Sequence, residues 1–147
     1  MEPSYDYGVA GVERPLGTDW RIQLQALVKH HRKYLNPGDQ KGGGTFDGLN
    51  RSIAEANALI QGYQYQTQTS GTLRLAYEPE GSNLTTEWFT LFNVKGGDYL
   101  TRPKITYAWS DALKTTLGVD HYAGNKDRQL GVLKTYNSVF LEGKYTF

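Results

Sequence analysis

At 147 residues the chain is long enough for one domain with its own core. With no cysteine it has no disulfide, thiolate metal site or thiol catalysis. A net charge of +1, with Lys and Arg spread among Asp and Glu, leaves no basic footprint for a nucleic-acid partner.

Hydrophobic residues make up only 38% of the chain, and no apolar run approaches the ~18 residues that a transmembrane helix needs. That does not exclude a membrane barrel, in which only every second strand residue faces lipid. The 11 Tyr, 3 Trp and 17 Gly suit twisted β-structure with aromatics on half-buried surfaces.

Met1-Glu2-Pro3-Ser4-Tyr5 has neither a basic n-region nor an apolar h-region, so it does not read as a signal peptide. For an exported protein this implies a removed signal or a longer parent chain. The first predicted strand covers Tyr5 to Arg14, and the turn Pro15-Leu16-Gly17-Thr18 leads into the second, Trp20 to Arg32. In that strand Trp20, Ile22, Leu24, Ala26 and Val28 share one face, while Arg21, Gln23, Gln25 and Lys29 share the other; Leu27 is the exception. Period two sorts these residues, and a helix would scatter them.

A long connection follows, from Lys33 to Ser70. Within it, residues 49–61 are alanine-rich, with Leu49, Ile53, Ala56 and Ile60 at helical spacing. Asp47 or Asn50 would cap the start and Gly62 would end it. We expect a short helix on an external loop, entered through the flexible Gly42-Gly43-Gly44.

The third strand is expected over Gly71 to Glu78, the fourth over Leu84 to Val94, the fifth over Tyr99 to Trp109, the sixth over Leu113 to Ala123 and the last from about Tyr136 to Phe147. Pro103 interrupts the fifth and predicts a bulge near the rim. The connections Pro15–Thr18, Pro79–Asn83 and Ser110–Ala112 are short; Lys95–Asp98 is a Gly-Gly turn, and Gly124–Leu130 is polar and intermediate. Outer-membrane barrels have short periplasmic turns and longer external loops. With Phe147 on the periplasmic side, all three short turns fall there and the long connection falls outside.

In the final strand Val139, Leu141, Gly143, Tyr145 and Phe147 share one face; Ser138, Glu142, Lys144 and Thr146 share the other, with Phe140 the exception. A terminal Phe147 with Tyr145 two residues before it resembles the signal read by the barrel-assembly machinery, which acts by strand addition. The run Gly97 to Tyr107, followed by Ser110-Asp111-Ala112-Leu113 and Leu117-Gly118-Val119-Asp120, and preceded by Tyr63 to Tyr77, resembles the C-terminal region of the DUF1302 family of outer-membrane proteins. The resemblance covers roughly the last ninety residues, and Gly8 to Trp20 more loosely. It implies an antiparallel up-and-down transmembrane β-barrel in the outer membrane of a Gram-negative bacterium, in contact with lipid, and it carries no catalytic residues. The chain is much shorter than a full member. An odd count of about seven strands also departs from the even counts of bacterial single-chain barrels. Both observations suggest a C-terminal portion of a larger barrel.

If Trp20, Leu73, Leu75, Tyr107, Leu117 and Leu141 face lipid, then Arg21, Lys29, Arg74, Arg102, Lys104, Lys114, Lys144, Glu87, Asp120 and Glu142 face inward. Among these, Arg21, Arg74, Arg102, Lys104 and Glu142 are the candidates for lining a lumen. Trp20, Tyr99, Tyr107 and Trp109 lie near strand ends and suit aromatic girdles.

No cofactor or metal site is expected. His30 and His31 are adjacent in a strand and point to opposite faces. Gly42 to Gly44 lacks the lysine and strand context of a phosphate loop. No spacing sets a nucleophile beside His121, so an enzyme is not expected. The functional expectation is passage or export of small molecules or lipids. A structural or adhesive barrel with a plugged interior, or a soluble antiparallel barrel serving as a binding module, stands as an alternative.

Overall fold

The computed structural model describes residues 4–34 and 64–147. The helix expected near 49–61, with its glycine approach, lies outside the described residues, as does most of the Lys33–Ser70 connection. The described chain is all-β: seven antiparallel strands in one open sheet, each paired with its sequence neighbours. They are β1 (Tyr5–Leu16), β2 (Trp20–His31), β3 (Thr67–Tyr77), β4 (Leu84–Asn93), β5 (Tyr99–Ala108), β6 (Leu113–Ala123) and β7 (Ser138–Tyr145). Among the described residues β1 and β7 each pair on one side only.

Register follows the side-chain alternation. Trp20, Ile22 and Leu24 stand opposite Tyr77, Leu75 and Leu73, and Leu117 is flanked by Ile105 and Leu141. A one-residue slip would turn every apolar side chain to the other face. The β1–β2 turn is closed by Gly17 at φ 75°, a left-handed conformation in which a side chain would be strained.

Besides Pro15 and Leu16, expected in the turn but paired within β1, four details differ from the sequence expectation. First, β3 begins at Thr67, four residues earlier than its hydrophobic pattern suggests. Gln68 and Ser70 pair with Lys29 and Leu27, so a polar stretch is strand because the neighbouring strand extends that far.

Second, Tyr136, where the last strand was expected to begin, ends a 3-10 helix over Gly131–Tyr136. β7 begins at Ser138 and ends at Tyr145, short of Phe147.

Third, Pro103 causes no bulge. Thr101 pairs with His121 and Lys104 with Gly118, which leaves two residues on each strand between these pairs and inserts none. The ladder is interrupted there toward β6, while Pro103 keeps its register with Trp88 on β4. The missing N–H is thus accommodated by a gap in one ladder.

Fourth, Pro103 lies in the middle of β5 rather than near the rim.

Among the described residues a conventional core is nearly absent. The buried apolar side chains among them are Ala76 and Leu130. On central strands Trp88 is 54% exposed, Leu117 51% and Ile105 48%. Hydrophobic surface normally drives folding by leaving water, and here most of it lies uncovered.

Candidate functional site

The sheet has two chemically opposite faces. The apolar face carries Trp20, Ile22, Leu24, Ala26 and Val28 from β2, Leu73 and Leu75 from β3, and Leu84, Trp88 and Phe92 from β4. It continues through Tyr99, Ile105 and Tyr107 of β5, Leu113, Leu117 and Val119 of β6, and Val139, Leu141 and Tyr145 of β7. From β2 through β7 no Asp, Glu, Lys or Arg occupies a strand position on this face. On β1 it carries Asp6 and Arg14, near opposite ends of the strand. Asp6 accepts from Arg32 Nε at 2.9 Å, and this bond raises the Arg32 guanidinium above its ordinary value.

The indole N–H groups of Trp88 and Trp109 find partners on the apolar face itself. Trp88 Nε1 donates to Thr101 Oγ1 at 2.6 Å and Trp109 Nε1 to Thr115 Oγ1 at 3.0 Å. A buried or desolvated N–H without a partner would be costly.

Three aromatic pairs lie at the end of the sheet that carries the short turns. Trp20 packs on Tyr77 with centroids 4.6 Å apart, Tyr107 on Trp109 at 4.8 Å, and Tyr145 on Phe147 at 5.4 Å. Tyr99 lies at the opposite end, beside His121. Of the four girdle candidates, three therefore share one end and Tyr99 marks the other.

The polar face carries all five lumen candidates, Arg21, Arg74, Arg102, Lys104 and Glu142. Four of them are drawn into cross-strand pairs. Arg21 meets Glu13 at 3.5 Å. Glu87 accepts from Arg74 Nε at 2.8 Å and from Lys104 at 3.0 Å, joining β3, β4 and β5. Arg102 donates to Asp120 at 3.0 Å, joining β5 to β6. Glu142 makes no ion pair among the described residues. Lys114 and Lys144 stand directly opposite each other at the short-turn end.

Both exceptions to the alternation acquire a reason. Phe140 lies across Gly118 on the polar face, where any side chain at 118 would overlap its ring, and Arg102 stands 5.8 Å from the centroid of that ring. Leu27 lines the same pocket as Leu130, toward the other end of the face.

Sequence reasoning missed a cap at this end. The β6–β7 connection folds back so that Leu130 is buried, and its backbone N–H donates to Asp98 at 2.7 Å. The other end of this contact is just as constrained. Asn93 Nδ2 donates to Asp98 at 3.0 Å, and Ser70 Oγ bonds Asn93 Oδ1 at 2.6 Å. Asp98 is 1% exposed; a side chain at Gly96 or Gly124 would overlap it. The usable signal was the Gly96-Gly97-Asp98 run, in which glycines leave room for a buried carboxylate. Tyr65 lies between two cations, 5.3 Å from Arg128 and 5.9 Å from Lys95, which is cation–π spacing.

The histidines are separated. His30 Nδ1 bonds Thr67 Oγ1 at 2.8 Å on the apolar face, whereas His31 is buried on the polar side, edge-on to the Tyr5 ring. His121 Nδ1 lies 3.3 Å from Asn137 Nδ2.

No family model matches the chain, and no curated protein or solved structure matches it.

Proposed function

We propose that this sheet is part of the wall of an outer-membrane β-barrel, with its apolar face toward lipid and its polar face toward a water-filled lumen through which small molecules or lipids pass. One observation carries the reading: the apolar face is exposed yet free of Asp, Glu, Lys and Arg from β2 to β7. A contiguous exposed apolar surface of this extent marks a membrane or partner contact. Charge exclusion and internally bonded tryptophan N–H groups favour hydrocarbon.

Strand length supports the same reading. β1 through β6 are 10 to 12 residues long, close to the ~9–11 that a tilted strand needs to cross a bilayer. The aromatic pairs at the short-turn end suit an interfacial girdle. Tyr145 and Phe147 supply a terminal aromatic pattern suited to the barrel-assembly machinery, and the pattern from Gly97 to Asp120 resembles the C-terminal region of DUF1302 proteins.

The experiment is reconstitution of the purified full chain. It is expected to gain β-structure only with lipid or detergent, and to give discrete conductance in planar bilayers. A folded monomer in detergent-free buffer would sink the membrane reading. Membrane insertion without conductance or solute release would sink passage and leave a second reading. That reading is a structural barrel with a closed interior, favoured by the cross-strand ion pairs and by the cap that Asp98 holds.

A further inference from the structure

Three connections meet at the end of the polar face opposite the short turns. The β6–β7 connection, residues 124–137, supplies the cap. The β4–β5 turn supplies Asp98, which accepts from the Leu130 N–H at 2.7 Å. The residues just before β3 supply Gln64, which donates to the Asp127 carbonyl at 2.5 Å, and Tyr65, beside Arg128 and Lys95.

The cap is tied together more firmly than it is tied down. Within it, the Arg128 N–H donates to Asn125 at 3.0 Å, the Val132 N–H to Arg128 at 3.0 Å and the Leu133 N–H to Leu130 at 3.1 Å. Gly131 packs so close to the Asn125 carbonyl that a side chain would overlap it. Toward the sheet, Leu130 is the cap's one buried apolar side chain among the described residues, while Val132 and Tyr136 are exposed. Gly124, at φ 138°, and Asn137, whose side chain accepts from the Tyr122 N–H at 2.7 Å, bracket the cap where it joins β6 and β7.

Lifting such a unit uncovers little apolar surface. Asp98 is not stranded by the movement, because water replaces the Leu130 bond once the site opens. A small gap between closed and open arrangements is what a two-state element requires. The closed cap also leaves space: about 220 Å3 remains between it and the sheet, lined in part by Leu27, Leu91, Asn93 and Leu130. A permanent plug packed like a protein interior would leave no such void.

We propose that the cap is a gate. The β6–β7 connection closes its end of the lumen by seating the Leu130 N–H on Asp98, and opens it by lifting as a unit about Gly124 and Asn137. The gate rests on the reading of the polar face as a lumen.

The test is single-channel recording of the full chain in planar bilayers. Wild type is expected to switch between a low and a high conductance level. Asp98→Ala removes the seat and is expected to raise the ratio of open to closed time about tenfold or more, the worth of one hydrogen bond to a charged group. The chain has no cysteine, so Gln68→Cys combined with Gln129→Cys, two positions that line the same cavity, gives an arm independent of Asp98. Bridging this pair with a reducible bis-methanethiosulfonate reagent is expected to hold the low level, and reduction to restore switching in the same channel. Should Asp98→Ala fail to fold, the bridged pair decides. A single conductance level that neither change alters overturns the gate and leaves passage standing, as does switching that persists in the bridged chain. A like response from either single-cysteine chain also overturns the gate. No current from any of these chains overturns passage, and the gate with it.

Discussion

The two faces of this sheet are built from the same strands, and burial alone barely separates them. Leu117 on the apolar face and Lys114 on the polar face are both exposed. What separates them is what each neighbour offers. Leu117 stands between Ile105 and Leu141, whereas Arg102, Lys104 and Arg74 stand beside Asp120 and Glu87. A water-soluble sheet ordinarily covers its apolar face and leaves the polar one wet. Here the apolar face has no covering layer among the described residues, and the polar face carries the cap and the ion pairs of Arg21, Arg74, Lys104 and Arg102. Charge distribution thus says more about the surroundings of this protein than accessibility does.

The comparison breaks most sharply at neighbouring residues on β6. Leu117→Lys is expected to cost about 2–4 kcal/mol in lipid, the penalty for a charge at the membrane midplane. Thr116→Lys is expected to cost at most about 1 kcal/mol: it loses the 2.8 Å bond to Thr106 but gains Glu142 opposite. Equilibrium urea unfolding in lipid vesicles checks both. Equal costs would remove the case for lipid on one face.

The next effect probes packing within the apolar face. Gly71 lies under the Phe92 ring, where a Cβ would overlap it. Gly71→Ala is expected to cost about 1–3 kcal/mol by overpacking. Combining it with Phe92→Leu, measured in the same unfolding assay, should cost less than the sum of the two single changes.

On the polar face, Glu87→Gln removes the carboxylate shared by Arg74 and Lys104. The expected loss is about 1–2 kcal/mol, below a fully buried charged bond because both cations are more than a third exposed. The same variant should shift reversal potentials toward anions in bilayers with a salt gradient, since it leaves two cations uncompensated. An unchanged reversal potential would separate this face from the conducting path.

The smallest effect sharpens the account of polar atoms on the apolar face. Trp88→Phe keeps the ring and removes the N–H that Thr101 accepts. About 0.5–1 kcal/mol is expected. A loss within error in lipid would show that this hydrogen bond is not needed to shield the indole there.

Most of the strand layout was legible in the sequence. Trp20 to Val28 alternates but for Leu27, and Leu113 to Ala123 was bounded correctly because turn residues flank it on both sides. All five lumen candidates fell on one face for the same reason: period two is imposed by the pleat and needs no tertiary information. Thr67 to Ser70 was not legible as strand. Its residues are polar on both faces, and only the length of β2 brings them into a ladder. Asp98 was not legible either, because an aspartate after two glycines usually stays in a wet turn; here the β6–β7 connection covers it.

By itself, the sequence determined two faces, their chemistry and the order of the strands, because alternation and turns are local. Tertiary structure decided the rest. It turned the apparent misfits Leu27 and Phe140 into the wall of a capped cavity and the cover of a glycine, and it tied Asp98 to Leu130 across 32 residues. Those contacts join segments distant in the chain, and no local pattern encodes which of them will meet.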